Sequence, residues 1–252
     1  MKKVLLTSVL VMTAAPLMAF AQEKKPEPDY TLTGNAGLWS DYRYRGFTQT
    51  DYRPAFQGGI DFAHKSGFYL GNWNSNVSSV LYNGASLEMD FYGGYKTSFG
   101  PFGFDVGGYY YYYPGTGKYD PNLKIDYGEL YLGGSYGPAS VKYWYGVTDY
   151  FGIKQPGTDT KGSQYLEGAL AFDLGSGFGA NAHVGWQKVR NLKQFGAKDD
   201  AYLDYRAGVT YDLSGWVFAL SIVGADKEDF FLTTDGKEAG KLKPVVSVTK
   251  TF

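Results

Sequence analysis

The chain has 252 residues, a formal net charge of −1 and no cysteine, which excludes disulfide scaffolds, thiol chemistry and a strongly basic nucleic-acid surface. It carries 35 glycines, 24 tyrosines and 17 phenylalanines, yet its mean hydropathy is only −0.31. Beyond the N-terminal segment no run reaches the roughly 18 apolar residues of a transmembrane helix, and many aromatics without long apolar runs suit a membrane β-barrel with one lipid face and one wet face.

Residues 1–21 read as a cleaved signal peptide. Lys2 and Lys3 supply the positive start, residues 4–17 a short apolar stretch, and Ala19-Phe20-Ala21 the cleavage pattern. Residues 22–29 are charged and Pro-containing and read as a short periplasmic tail. Residues 30–252 are expected to form one transmembrane β-barrel.

From Tyr30 onward the dominant period is two. In residues 31–45, Leu32, Gly34, Ala36, Leu38, Tyr42 and Tyr44 share one face, while Thr33, Asn35, Trp39, Asp41, Arg43 and Arg45 share the other. Alternation of this length suits a tilted strand that spans a membrane. The same pattern recurs, and strands are expected near 31–46, 53–63, 67–77, 85–97, 102–113, 125–136, 138–149, 163–174, 178–188, 200–212, 216–225 and 243–252. Short turns such as Gly137-Pro138 and Ser214-Gly215 alternate with longer polar loops near 47–52, 78–84, 114–124, 150–162, 189–199 and 226–242. The expected fold is therefore all-β, an antiparallel up-and-down transmembrane barrel of about 12 strands. A soluble sandwich or lipid-binding barrel shares the alternation, but not the strand length, loop asymmetry and export signal.

Charged residues on the wet face are the candidate pore lining. Arg43 and Arg45 are expected at the outer end of the first strand, with Arg53 opening the second. Internal pairing with Asp41, Asp51 or Glu88 that rigidifies the barrel is the favoured reading; an anion-attracting patch at a pore mouth and contact with lipid phosphate are the alternatives. Inward carboxylates Asp61, Glu88, Asp90, Asp105, Glu129, Glu167, Asp204 and Asp212 outnumber inward bases Lys96, Lys142 and Arg206, which predicts weak cation preference. The short list of pore-lining candidates is Arg43, Arg45, Arg53, Glu88, Asp90, Glu129, Glu167, Asp204 and Arg206.

Lumen-facing aromatics, among them Trp39, Tyr92, Tyr109, Tyr111 and Trp144, read either as a stacking track for solutes or as a plug. Of two histidines, His64 falls in a turn and His183 points inward without a local nucleophile set. No catalytic residue, metal site or cofactor is expected. The final strand ends on Phe252, which resembles the assembly signal of outer-membrane barrels, although Lys250 departs from the usual aromatic.

Several stretches together resemble one family. They are residues 40–49 (SDYRYRGFTQ), 54–61 (PAFQGGID), 66–73 (SGFYLGNW), 92–95 (YGGY), 110–115 (YYYYPG), 127–133 (YGELYLG), 148–152 (TDYFG) and the C-terminus. The sequence is similar to the TorF-family porins, also catalogued as a proteobacterial family of unknown function (Gcw_chp). The resemblance spans nearly the whole mature chain and assigns no functional residues. The expectation is a bacterial outer-membrane channel for passive diffusion of small hydrophilic solutes or ions. The alternative is a closed barrel that acts through its extracellular loops. Expected partners are outer-membrane lipid, the barrel assembly machinery and small solutes or ions, with no nucleic acid; the sequence does not speak to oligomeric state.

Overall fold

Alternating strands have one apolar and one polar face, and a closed sheet satisfies every ladder hydrogen bond without leaving an edge in lipid. The structure, a computed structural model, describes residues 28–252; the signal peptide and residues 22–27 of the tail lie outside the described residues. Twelve strands span it: β1 (Tyr30–Trp39), β2 (Ala55–His64), β3 (Phe68–Asn76), β4 (Leu87–Phe99), β5 (Phe102–Tyr112) and β6 (Tyr127–Tyr136). The second half adds β7 (Ala139–Gly146), β8 (Gln164–Gly175), β9 (Phe178–Lys188), β10 (Ala201–Leu213), β11 (Trp216–Ala225) and β12 (Lys243–Thr251). Each pairs antiparallel with its sequence neighbour, and β12 returns to β1 to close the barrel.

Closure places Asn35 opposite Thr251 and Trp39 opposite Ser247. One step further, Gly34 and Phe252 exchange backbone hydrogen bonds of 2.7 and 2.9 Å. The Phe252 ring is 74% exposed on the outer surface. It lies over Gly34, where a Cβ would come within 2.7 Å of the ring.

Leu32, Phe56, Ile60, Leu70, Val106, Leu132, Val184, Val209 and Leu220 all point outward and are more than half exposed or close to it. A continuous apolar belt of this kind is stable only against lipid. Tyr110, Tyr112, Tyr143 and Tyr145 ring its long-loop end, while Phe99, Phe102, Tyr136 and Trp216 ring its short-turn end. These are the two interface girdles expected of such a barrel. Among the described residues no helix is long and apolar enough to cross a membrane.

The largest departure from the sequence reading is the first strand. It stops at Trp39 rather than at residue 46, and β2 begins at Ala55 rather than 53. Asp41 is the reason. Its carboxylate accepts from the Thr48 and Thr50 hydroxyls at 2.5 and 3.1 Å and from Arg43 Nε, which ties the chain back on itself. The alternation of residues 42–45 is preserved, but in a miniature hairpin instead of a spanning strand. Its ladder pairs Arg43 with Thr48 and Tyr44 with Phe47. The seventh strand likewise ends early, at Gly146, before a 3-10 turn at Tyr150–Gly152.

Candidate functional site

The miniature hairpin folds into the lumen. Arg45 and Gly46 form its tip, both with positive φ (44° and 88°), the combination a type I′ turn requires. A left-handed arginine is unfavourable by about 1–3 kcal/mol and persists only when its surroundings hold it. Arg45 Nη2 donates to Glu129 Oε2 on β6 at 2.6 Å, and Nη1 donates to Gln187 Oε1 on β9 at 2.5 Å. Its guanidinium lies 4.0 Å from the Tyr165 ring centroid and 4.8 Å from that of Tyr44. The pair is dry, with side chains 5% and 0% exposed. Arg43 stays at the hairpin base, paired with Asp41 and donating to the Gly46 carbonyl at 2.8 Å.

One wall of the lumen is filled by tyrosines that donate to carboxylates. Glu88 accepts from Tyr42 at 2.7 Å and Tyr113 at 2.8 Å, and Asp90 from Tyr109 at 2.9 Å. Glu129 accepts from Tyr111 at 3.2 Å, Asp61 from Tyr92 at 2.6 Å and Asp105 from Tyr69 at 2.6 Å. Burial, and then the charge of Glu88, push the loop hydroxyls of Tyr42 and Tyr113 well above the usual phenol range, so both remain donors. The rings stack as they fill the wall: Tyr92 on Tyr109 at 5.2 Å, Tyr109 near Tyr111 at 4.6 Å, Tyr111 on Tyr127 at 5.8 Å.

The opposite wall is thin. Val217, Ala219, Ser221 and Val223 on β11 and Val245, Ser247 and Thr249 on β12 line a cavity of about 430 Å³ that reaches the hairpin at Asp41–Gly46. A second cavity, of about 550 Å³, extends to the short-turn end at Ser98 and Pro101 and is lined by Lys96, Asp105 and Lys142. Trp144, Glu167, Asn181, His183 and Arg206 line both, so the cavities meet at a waist. There His183 bridges two acids, with Nε2 at 2.9 Å from Asp204 and Nδ1 at 3.4 Å from Glu167. Trp144 Nε1 donates to Glu167 at 2.9 Å and Tyr165 to Asp204 at 3.0 Å. Gly185 makes the second contact possible, because a Cβ there would collide with the Tyr165 hydroxyl.

The long-loop end is covered. Phe47, Tyr202, Phe230 and Phe231 pack into one aromatic cluster, and Tyr42, Tyr82, Tyr113, Tyr127 and Tyr150 belong to a second.

The candidates thus separate. Arg43, Arg45, Glu167, Asp204 and Arg206 line the cavities. Glu88, Asp90 and Glu129 line neither and are buried, because the tyrosines and Arg45 cover them. Arg53 is exposed in the loop before β2 and also lines neither cavity. The three arginines do not form one cluster: Arg43 pairs with Asp41, the internal pairing expected of it, Arg45 pairs with Glu129 in a buried position near the long-loop end, and Arg53 stands apart. Trp39, Tyr111 and Trp144 line the first cavity, whereas Tyr92 and Tyr109 serve the filled wall. Gln187 and Asn181 join the site although they carry no charge. Their signal was a neutral amide at inward positions of β9, opposite a lipid-facing Val184 and Trp186.

A closed sheet of this size with an apolar belt defines the class: a bacterial outer-membrane β-barrel. The chain belongs to the family described as bacterial protein of unknown function (Gcw_chp), whose model matches residues 23–252, as the motifs implied. Among solved structures, a NanC porin superposes with a TM-score of 0.58 at 9% identity, covering 88% of this chain and 99% of that one. A KdgM porin in complex with disordered oligogalacturonate superposes with a TM-score of 0.55 at 11% identity, covering 88% and 99%. At such identities the likeness is one of fold. No curated protein sequence matches the chain.

Proposed function

We propose that the protein is a passive outer-membrane channel for small hydrophilic solutes or ions, and not an enzyme. The observation that carries this reading is the pair of adjoining cavities, one beside the thin wall toward the long-loop end and one among β4–β10 toward the short-turn end, which share Trp144, Glu167, Asn181, His183 and Arg206. A barrel of about eight strands is filled by its own side chains, whereas about sixteen leave an aqueous channel. Twelve strands fall between, and here the long-loop half is filled on one wall only, while the short-turn half leaves space among β4–β10. The Arg43–Thr48 hairpin projects beside the first cavity, and Arg45 holds it there. The porin architecture of the structural relatives agrees with this reading.

The aromatic cover of the long-loop end favours a second reading, a closed barrel that acts through its loops. Planar-bilayer recording of the purified protein separates the two. Stepwise conductance in potassium chloride is expected of the channel; a silent, correctly folded barrel would establish the closed form.

A further inference from the structure

We infer that Arg206 and Asn181 form a binding site at the waist of the lumen for a small hydroxylated carboxylate. The inference rests on the channel reading, since the solute must reach the waist.

The other charges that line the cavities already have partners. Arg45 pairs with Glu129, Lys142 with Asp105 at 3.0 Å, and Glu167 and Asp204 share His183. Lys96 lies over the Tyr69 ring at 4.5 Å, with Asp105 at 4.0 Å. Among the described residues Arg206 pairs with no carboxylate, and its buried Nε finds no acceptor. Asn181 Oδ1 is also buried and finds no donor. Both residues line both cavities. Arg206 stands directly across from His183, and Asn181 is two residues along β9 on the same inward face.

A buried donor and a buried acceptor without partners are each unfavourable, and a ligand that satisfies both recovers that loss. A planar carboxylate matches the guanidinium fork, and a hydroxyl on the same molecule supplies the donor that Asn181 Oδ1 lacks. The acids beside the site already have hydrogen-bond partners of their own. Glu167 is held by Trp144 and His183, and Asp204 by Tyr165 and His183. Gly208 lies opposite Asn181 on β10 and adds no side chain to the space between them.

The test uses calorimetric titration of the folded barrel in detergent micelles with D-gluconate. Hexanoate is the anion of similar length without hydroxyls, and D-glucose is the hydroxylated solute without charge. Saturable gluconate binding is expected, with hexanoate and glucose weaker. Arg206→Gln should weaken gluconate binding about tenfold or more, and Arg206→Lys, which keeps charge but loses the fork, by less. Asn181→Leu should lower gluconate binding and leave hexanoate unchanged. Heat-modifiable gel mobility verifies that each variant is folded. Absence of gluconate binding, equal binding by Arg206→Gln, or equal affinity for hexanoate overturns the inference. Parallel bilayer recording keeps the two readings apart. Conductance without gluconate affinity leaves the channel and removes the site; affinity without conductance retains the site and removes the channel.

Discussion

The two walls of this lumen are built from the same alternating strands and differ in what their inward positions hold. From β2 to β8 those positions carry Asp61, Glu88, Asp90, Asp105, Glu129 and the tyrosines that donate to them. On β11 and β12 they carry Val217, Ala219, Ser221, Ser247 and Thr249. An inward charge therefore does not by itself mark the water path: Glu88, Asp90 and Glu129 lie behind tyrosines and Arg45, whereas Asp105, Glu167, Asp204 and Arg206 border the cavities. Toward the long-loop end carboxylate and phenol fill space together, and there the path follows the side where the side chains are short. The hairpin at Arg45 links the two halves, anchored to Glu129 on β6 and Gln187 on β9.

The contrast breaks most severely where that anchor is cut. Arg45→Ala leaves Glu129 buried with a charge and without its cation, a loss of about 3–5 kcal/mol. Urea unfolding in micelles should register it, and freeing the hairpin should raise single-channel conductance. Replacing both partners, Arg45→Met with Glu129→Leu, should recover most of the stability, because an apolar pair of similar volume leaves no unpaired charge.

Next in size is bulk on the thin wall. Ser221→Trp should cut conductance by about half or more, since a ring then occupies a path otherwise bordered by small side chains. Leu220→Trp, one residue away and outward, should leave conductance unchanged. Equal effects of the two would show that the path does not run along β11.

Smaller still is the effect of Glu88→Gln with Asp90→Asn on ion preference. Both acids lie behind tyrosines, so reversal potentials across a salt gradient should hold while stability falls by about 1–3 kcal/mol from lost charge-assisted hydrogen bonds. A shift toward anions would put these acids back on the water path. The mildest change is Phe252→Ser. The backbone pairing with Gly34 survives it, so assembled yield should drop while the folded barrel keeps its conductance, as gel mobility and recording would report.

Much of the fold was legible in the sequence. Period-two alternation and the alternating loop lengths place all twelve strands, most within one or two residues, because each pattern has a direct physical cause in the lipid–water boundary. The site was legible only in part. Alternation put Glu88 and Glu167 on the same face, but which of them meets water depends on the tyrosines arriving from other strands. Tyr113 and Tyr42 reach Glu88 from distant loops, and the sequence carries no local sign of that. The 40–49 motif misled for a similar reason. Its alternation is real, yet Asp41 turns the segment into an infolded hairpin, so the Arg43, Arg45 and Arg53 cluster dissolves.

The most direct test of the two-wall account uses the absence of native cysteine. Ser221→Cys and Ser75→Cys are near-isosteric single-cysteine variants. Ser221 lines the first cavity, and Ser75 is 1% exposed on β3 among the filled positions. A charged, thiol-reactive methanethiosulfonate added to the recording chamber should modify Ser221→Cys and lower its conductance, while Ser75→Cys stays unmodified. Modification of Ser75→Cys with Ser221→Cys unreactive would contradict the account and place the water path on the tyrosine–carboxylate wall.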